Sequence, residues 1–94
     1  MKIIRSRRYN TNLLVILRYI AKDKTSASRN FKKALDKHIA DIPDFPYKYR
    51  QSIYFNNADI RDLIFKKYTI NYKINLGNNT IEILDIFNQN KPTT

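Results

Sequence analysis

The 94 residues carry 18 Lys and Arg against 8 Asp and Glu, a net charge of +10, and no cysteine. A chain this short has room for one core, and without a thiol it can form neither disulfides nor thiolate metal sites. The longest apolar run, Leu13 to Leu17, is far below the roughly 20 residues that cross a bilayer, and the charged opening Met1 to Arg8 is no secretory core, so a soluble, cytoplasmic single domain is expected over 1–94.

The charge is uneven: residues 1–50 hold 13 basic and 4 acidic side chains, residues 51–94 hold 5 and 4. The first half should therefore draw in phosphates or acidic protein surfaces. A short strand is predicted at Lys2 to Arg7, with Ile3 and Ile4 as its apolar content. From Asn10, a capping residue type, a helix is predicted to about Lys22, with Leu13, Leu14, Leu17, Ile20 and Ala21 on one face and Arg18 and Lys22 off it. After Asp23-Lys24-Thr25, with Thr25 or Ser26 as cap, a second helix carries Ala27, Phe31, Ala34, Leu35, His38 and Ile42 at three- and four-residue steps. Arg29, Lys32, Lys33 and Lys37 lie mostly opposite.

Pro43 and Pro46 end that helix, because neither can continue its hydrogen bonding. Ser52 to Phe55, a loop at Asn56 to Asp59, and Ile60 to Ile64 follow. Tyr68, Ile70, Tyr72, Ile74 and Leu76 then alternate with Thr69, Asn71, Lys73 and Asn75, the pattern of a strand with one apolar and one polar face. Gly77-Asn78-Asn79 turns the chain, and Thr80 to Phe87 returns as its partner. The fold class read from this order, β-α-α-β-β-β, is α+β: a two-helix hairpin packed on a curved antiparallel sheet of about four strands.

This arrangement resembles the RelE/ParE superfamily of toxins from bacterial type II toxin–antitoxin systems. The resemblance rests on Tyr19-Ile20-Ala21-Lys22-Asp23, on Ala27 through Phe31 to Leu35, and on Ile42-Pro43 before Phe45-Pro46. It continues through Ile60-Arg61-Asp62-Leu63, Tyr68-Thr69-Ile70-Asn71-Tyr72 and Ile81 to Phe87. It implies a small toxin held inactive by a cognate antitoxin, with one of two targets. RelE-like members cut mRNA on the ribosome; ParE-like members inhibit DNA gyrase without cutting RNA.

RNA cleavage needs a proton acceptor, a proton donor and positive charge on the phosphate. Several RelE-like nucleases resemble one another in a Tyr-Arg-apolar-apolar-Tyr motif, and the Arg of that motif is Thr69 here. Where the family often has a terminal His followed by Arg residues, this chain reads Asn88-Gln89-Asn90-Lys91. The missing Arg and the long basic hairpin favour the ParE-like mode. Under the alternative, a ribosome-dependent endoribonuclease, the catalytic candidates are Arg61, Lys66, Lys67 and Lys91, with Tyr54 beside them. No cofactor is expected.

Arg61 is read either as a contact to phosphate or an acidic partner, or as a structural mate of Asp59, Asp62 or Glu82. Lys48-Tyr49-Arg50 and Tyr54 interleave cations with rings, as nucleic-acid or target-binding surfaces do, and as sheet edges also do. Arg5, Arg7 and Arg8 are read as a polyanion contact or as a charged edge that discourages aggregation. Arg18 and Lys22 are candidates for antitoxin binding. His38 is expected in the core or at its boundary, and no metal site is expected.

Overall fold

The computed structural model describes residues 1–88. Strand β1 (Lys2–Arg5) leads into helix α1 (Arg7–Asp23), helix α2 (Thr25–Ala40) and a short 3-10 turn at Ile42–Asp44. The strands β2 (Arg50–Gln51), β3 (Ile60–Phe65), β4 (Tyr68–Asn75) and β5 (Thr80–Asn88) follow. They form one five-stranded sheet in the order β1-β5-β4-β3-β2.

The architecture is the expected α+β hairpin packed on a sheet, but the sheet is mixed and has five strands where an antiparallel one of about four was expected. The first strand lies parallel to the last, with Lys2 opposite Thr80 and Arg5 opposite Ile83, while the other neighbours are antiparallel. The additional strand is the two-residue β2, whereas Ser52 to Phe55 forms no strand.

Ser6 explains why α1 begins before Asn10. Its hydroxyl accepts from the Tyr9 amide at 3.0 Å, capping the helix, and donates to the Leu84 carbonyl at 2.7 Å, tying that cap to β5. Arg7 and Arg8 consequently belong to the helix, not the strand. Lys24 alone joins the helices: it caps the end of α1 through its amide to the Ile20 carbonyl and precedes α2 with extended backbone. Neither Thr25 nor Ser26 is the cap. Ser28 instead donates from α2 to the Leu17 carbonyl of α1 at 2.8 Å, fixing the hairpin.

The hairpin covers one face of the sheet. Tyr9 and Leu13 from α1 and Phe31, Leu35 and Ile39 from α2 bury against Leu63, Phe65, Ile70, Tyr72, Ile74, Ile81, Ile83 and Ile86. Ile39 follows Phe31 and Leu35 at four-residue steps and completes the stripe that Ile42 was expected to close; Ile42 is buried from the 3-10 turn. His38 is exposed, with its ring edge-on to Phe65 at 5.1 Å between centroids and Nδ1 3.0 Å from the Ala34 carbonyl. It lies over the rim of the core rather than in it.

Between Asn71 and Tyr72 the β4–β5 register shifts, so Asn71 faces Asp85 and Tyr72 faces Ile83. Leu84 is the extra residue of this bulge. The slip lets Ile83 and Ile86 both reach the core, while Asp85 meets Arg8 and Asn12 of α1 and Phe87 meets the Tyr54 ring. The sheet face away from the helices is not open, as the alternation suggested. Thr69 and Asn71 are 0% and 1% exposed, because the excursion between the 3-10 turn and β3 folds back across the sheet.

Candidate functional site

The covered face is organised by Asp62 on β3, whose side chain is fully buried. Its carboxylate accepts from the Asn71 side-chain amide of β4 at 2.6 Å, the Ile53 backbone amide at 3.2 Å and the Arg50 guanidinium at 3.4 Å. Three donors from two directions satisfy a charge that would otherwise be costly to bury. They also draw residues 50–53 onto the sheet. Tyr54 completes the cover, its ring edge-on to Phe87 at 5.0 Å. Beneath it, the Thr69 hydroxyl is buried without a hydrogen-bond partner.

Arg61 closes the same excursion from both ends. Nε donates to the Ala58 carbonyl at 3.0 Å, Nη1 donates to the Tyr49 carbonyl at 3.2 Å, and the guanidinium stacks 5.0 Å from the Tyr47 ring. The Tyr47 hydroxyl donates to Asp59 at 3.0 Å, and that hydrogen bond holds the phenol above its ordinary pKa. Tyr72 reaches from the core to donate to the Pro46 carbonyl. Burial pushes its phenol well above the usual range. None of the carboxylates expected beside Arg61 holds it; backbone carbonyls and a ring do.

The other site residues fall in separate places. Lys66 and Lys67 are exposed in the two-residue turn joining β3 to β4, Lys66 with a left-handed φ of 56° and its ammonium 5.6 Å from the Phe65 ring. Lys91 lies outside the described residues. Arg5 pairs with Asp36 of α2 at 3.9 Å, and Arg8 with Asp85 at 3.0 Å, where Asn12 also donates at 2.7 Å. Arg7 is exposed on the first turn of α1, and Lys48 lies over the Tyr49 ring at 5.6 Å. Arg18 and Lys22 are exposed on the side of α1 away from the sheet. Thus Arg50, Tyr54 and Arg61 converge on the 45–59 excursion, while the amino-terminal arginines and the turn lysines do not join them.

Sequence reasoning missed Asp62 and Asp85. Each sits at an alternating polar position of a strand, and only the tertiary cover makes such a position buried. Among the described residues, no three His, Cys, Asp or Glu side chains gather into a metal site, and no helix is long and apolar enough to cross a membrane.

A second feature is an apolar groove of about 370 Å³ between α1 and the far half of β5, lined by Val15, Ile16, Tyr19, Tyr68, Ile86 and Phe87 among others. It opens where β1 stops opposite Ile83; among the described residues no strand pairs with the later part of β5 on that side. Val15 and Tyr19 are 60% and 70% exposed there, an unusual display of apolar surface.

No curated protein sequence matches the chain. A solved structure described as a chromosomal ParDE TA system from P. aeruginosa shares its fold, with a TM-score of 0.73 and 12% identity over 94% of this chain and 95% of that one. The family model of the ParE toxin of the type II toxin–antitoxin system parDE matches residues 3–92. Matched over nearly its whole length, the chain belongs to the ParE toxin family.

Proposed function

We propose that this toxin arrests growth by inhibiting DNA gyrase rather than by cutting RNA. One observation carries the reading: the sheet face on which a nuclease would present its charges is closed. Its central Thr69 is uncharged and fully buried and Asn71 and Asp62 hold each other, while Arg61, on the opposite face beside Tyr72, is spent on backbone carbonyls. A group sealed under Tyr54 cannot approach a phosphate within the roughly 3 Å that proton transfer needs. Inhibition of a protein target requires only an outer surface.

The family carries with it a cognate antitoxin partner. Its seat is proposed as the α1–β5 groove, where an extended or helical segment would cover Val15 and Tyr19 and find the unpaired strand side. Replacing both residues with Asp should weaken antitoxin binding at least thirtyfold, as loss of buried anchors does.

The test of the target is a supercoiling assay with purified toxin and gyrase, run beside primer extension on a translated message. Supercoiling should fall with toxin concentration while the message stays intact. Full gyrase activity at excess toxin, with codon-periodic cleavage, would overturn the proposal.

A further inference from the structure

We propose that the outward face of the helical hairpin binds duplex DNA along its phosphate backbone, through Arg29, Lys33 and Lys37 of α2 with Arg18 and Lys22 of α1 beside them. Residues 7–40 contain nine basic side chains and two acidic ones. Of those two, Asp36 is already engaged by Lys32 at 2.6 Å and by Arg5. All five proposed cations are exposed, and among the described residues none forms an ion pair, whereas Arg5, Arg8, Lys32 and Arg50 each have a carboxylate.

Their spacing is the second argument. Arg29, Lys33 and Lys37 stand at four-residue steps, about 6 Å each along the axis, opposite the buried row of Phe31, Leu35 and Ile39. Arg18 and Lys22 repeat that step on α1. Like charges at this spacing repel and weaken a helix. Asp36, three residues after Lys33, is held by Lys32 and Arg5, and Asp41, four residues after Lys37, forms no ion pair with it, so the row keeps a surplus of positive charge that an external anion would offset. About 12 Å of duplex carries roughly seven phosphate charges, enough to neutralise the row.

What the face lacks selects the partner. The exposed large apolar side chains include none from α2; on α1 they are Leu14, Val15 and Tyr19, the last two at the border with the groove. A peptide that folds on binding needs apolar anchors to offset its ordering. Unpaired bases need rings to stack on. A rigid duplex backbone needs neither, and Asn30, exposed beside the row, adds the uncharged donor common in phosphate contacts.

This inference is independent of the gyrase reading, since the measurement contains no gyrase. Fluorescence anisotropy would follow the full chain binding a labelled 20-base-pair duplex of arbitrary sequence, roughly two helical turns, over a series of salt concentrations. Each phosphate contact contributes about −0.9 to the slope of log affinity against log salt. The triple variant Arg29→Gln, Lys33→Gln, Lys37→Gln should therefore bind at least tenfold more weakly with a slope shallower by about 2.7. Its charge-reversed counterpart, R29E/K33E/K37E, should bind more weakly still. A control triple, Lys2→Gln, Lys24→Gln, Lys73→Gln, removes the same net charge outside the row and should stay within about twofold of the parent. Equal losses in both triples would overturn the proposal, as would tighter binding to the single strand or equal affinity for a poly-glutamate peptide of matched length.

Discussion

The side-chain amide of Asn71 donates to the carboxylate of Asp62 across adjacent strands at 2.6 Å, and both residues are shut away from water. The partnership converts what alternation reads as a wet sheet face into a second, polar interior. It also supplies the anchor on which residues 50–53 close. Replacing Asp62 with Ala strips three donors of their acceptor and leaves buried N–H groups orphaned. A loss of about 3 kcal/mol is expected from denaturant melts. Hydrogen exchange at the Ile53 amide should rise with it, which a purely global destabilisation would not single out.

Two tyrosines of the core predict opposite outcomes for the same substitution. The Tyr72 hydroxyl holds the Pro46 carbonyl, so Tyr72→Phe should cost about 1 kcal/mol and loosen residues 45–49. The Tyr9 hydroxyl is buried without a hydrogen-bond partner; the Arg5 guanidinium is near enough to influence it electrostatically but not in bonding geometry. Tyr9→Phe should therefore be neutral or stabilising by up to about 1 kcal/mol. Paired thermal melts decide the matter.

Thr69 gives a similar expectation with a functional edge. Its hydroxyl is buried and unpaired, so Thr69→Val should stabilise by about 1 kcal/mol. Thr69→Arg, which restores the charge found at this place in nucleolytic relatives, should disrupt the cover instead of creating an active site. Calorimetry and an RNA-cleavage assay on the two variants test both halves.

Alkaline pH should unfold the protein through its phenols. Burial pushes Tyr9 from 10.0 up to about 12, with the negative charge of Asp36 adding to it. Tyr72 moves further in the same direction for the same first reason. Their neutral forms are the folded forms. The stability they contribute is thus complete below the unfolded value near pH 10 and is lost as pH climbs toward about 12. Phenolate absorbance and circular dichroism followed together should show Tyr9 and Tyr72 ionising only as the fold gives way.

Arg61 is a test of geometry rather than of charge. Lysine keeps the charge but has no planar fork to reach the Tyr49 and Ala58 carbonyls at once. Arg61→Lys should lose nearly as much stability as Arg61→Ala, about 1–2 kcal/mol in each case. Full retention by the lysine variant would show that charge alone matters there.

Much of the architecture was legible because it is local. The helical stripes, the proline stop, the alternation of Tyr68 to Leu76 and the turn at Gly77 each declare themselves within a dozen residues. The parallel pairing of β1 with β5 does not, since Ile3 and Ile4 say only that a strand exists and not which neighbour it finds. Ser6 falls inside the strand expected at Lys2 to Arg7; its tie to the sheet depends on the Leu84 carbonyl, 78 positions away. The candidate site was harder still. Arg61 reads either as a contact to phosphate or an acidic partner or as a structural mate of a carboxylate, and its carbonyl partners are invisible to any reasoning from charge. Asp62, Thr69 and Asn71 read as surface because nothing in their own segments announces the cover that Tyr54 and Ile53 bring.

The union of the first and last strands has a consequence for how the protein is made. A nascent chain emerges with β1 already synthesised and nothing to pair it with until Thr80 to Ile83 appear. The tie from the start of α1 to the sheet waits on the same event, because the Ser6 hydroxyl donates to the Leu84 carbonyl. Completion of the sheet is therefore delayed until Thr80 to Leu84 have been made, and a product cut short before Thr80 would have neither a finished border strand nor the groove beside α1.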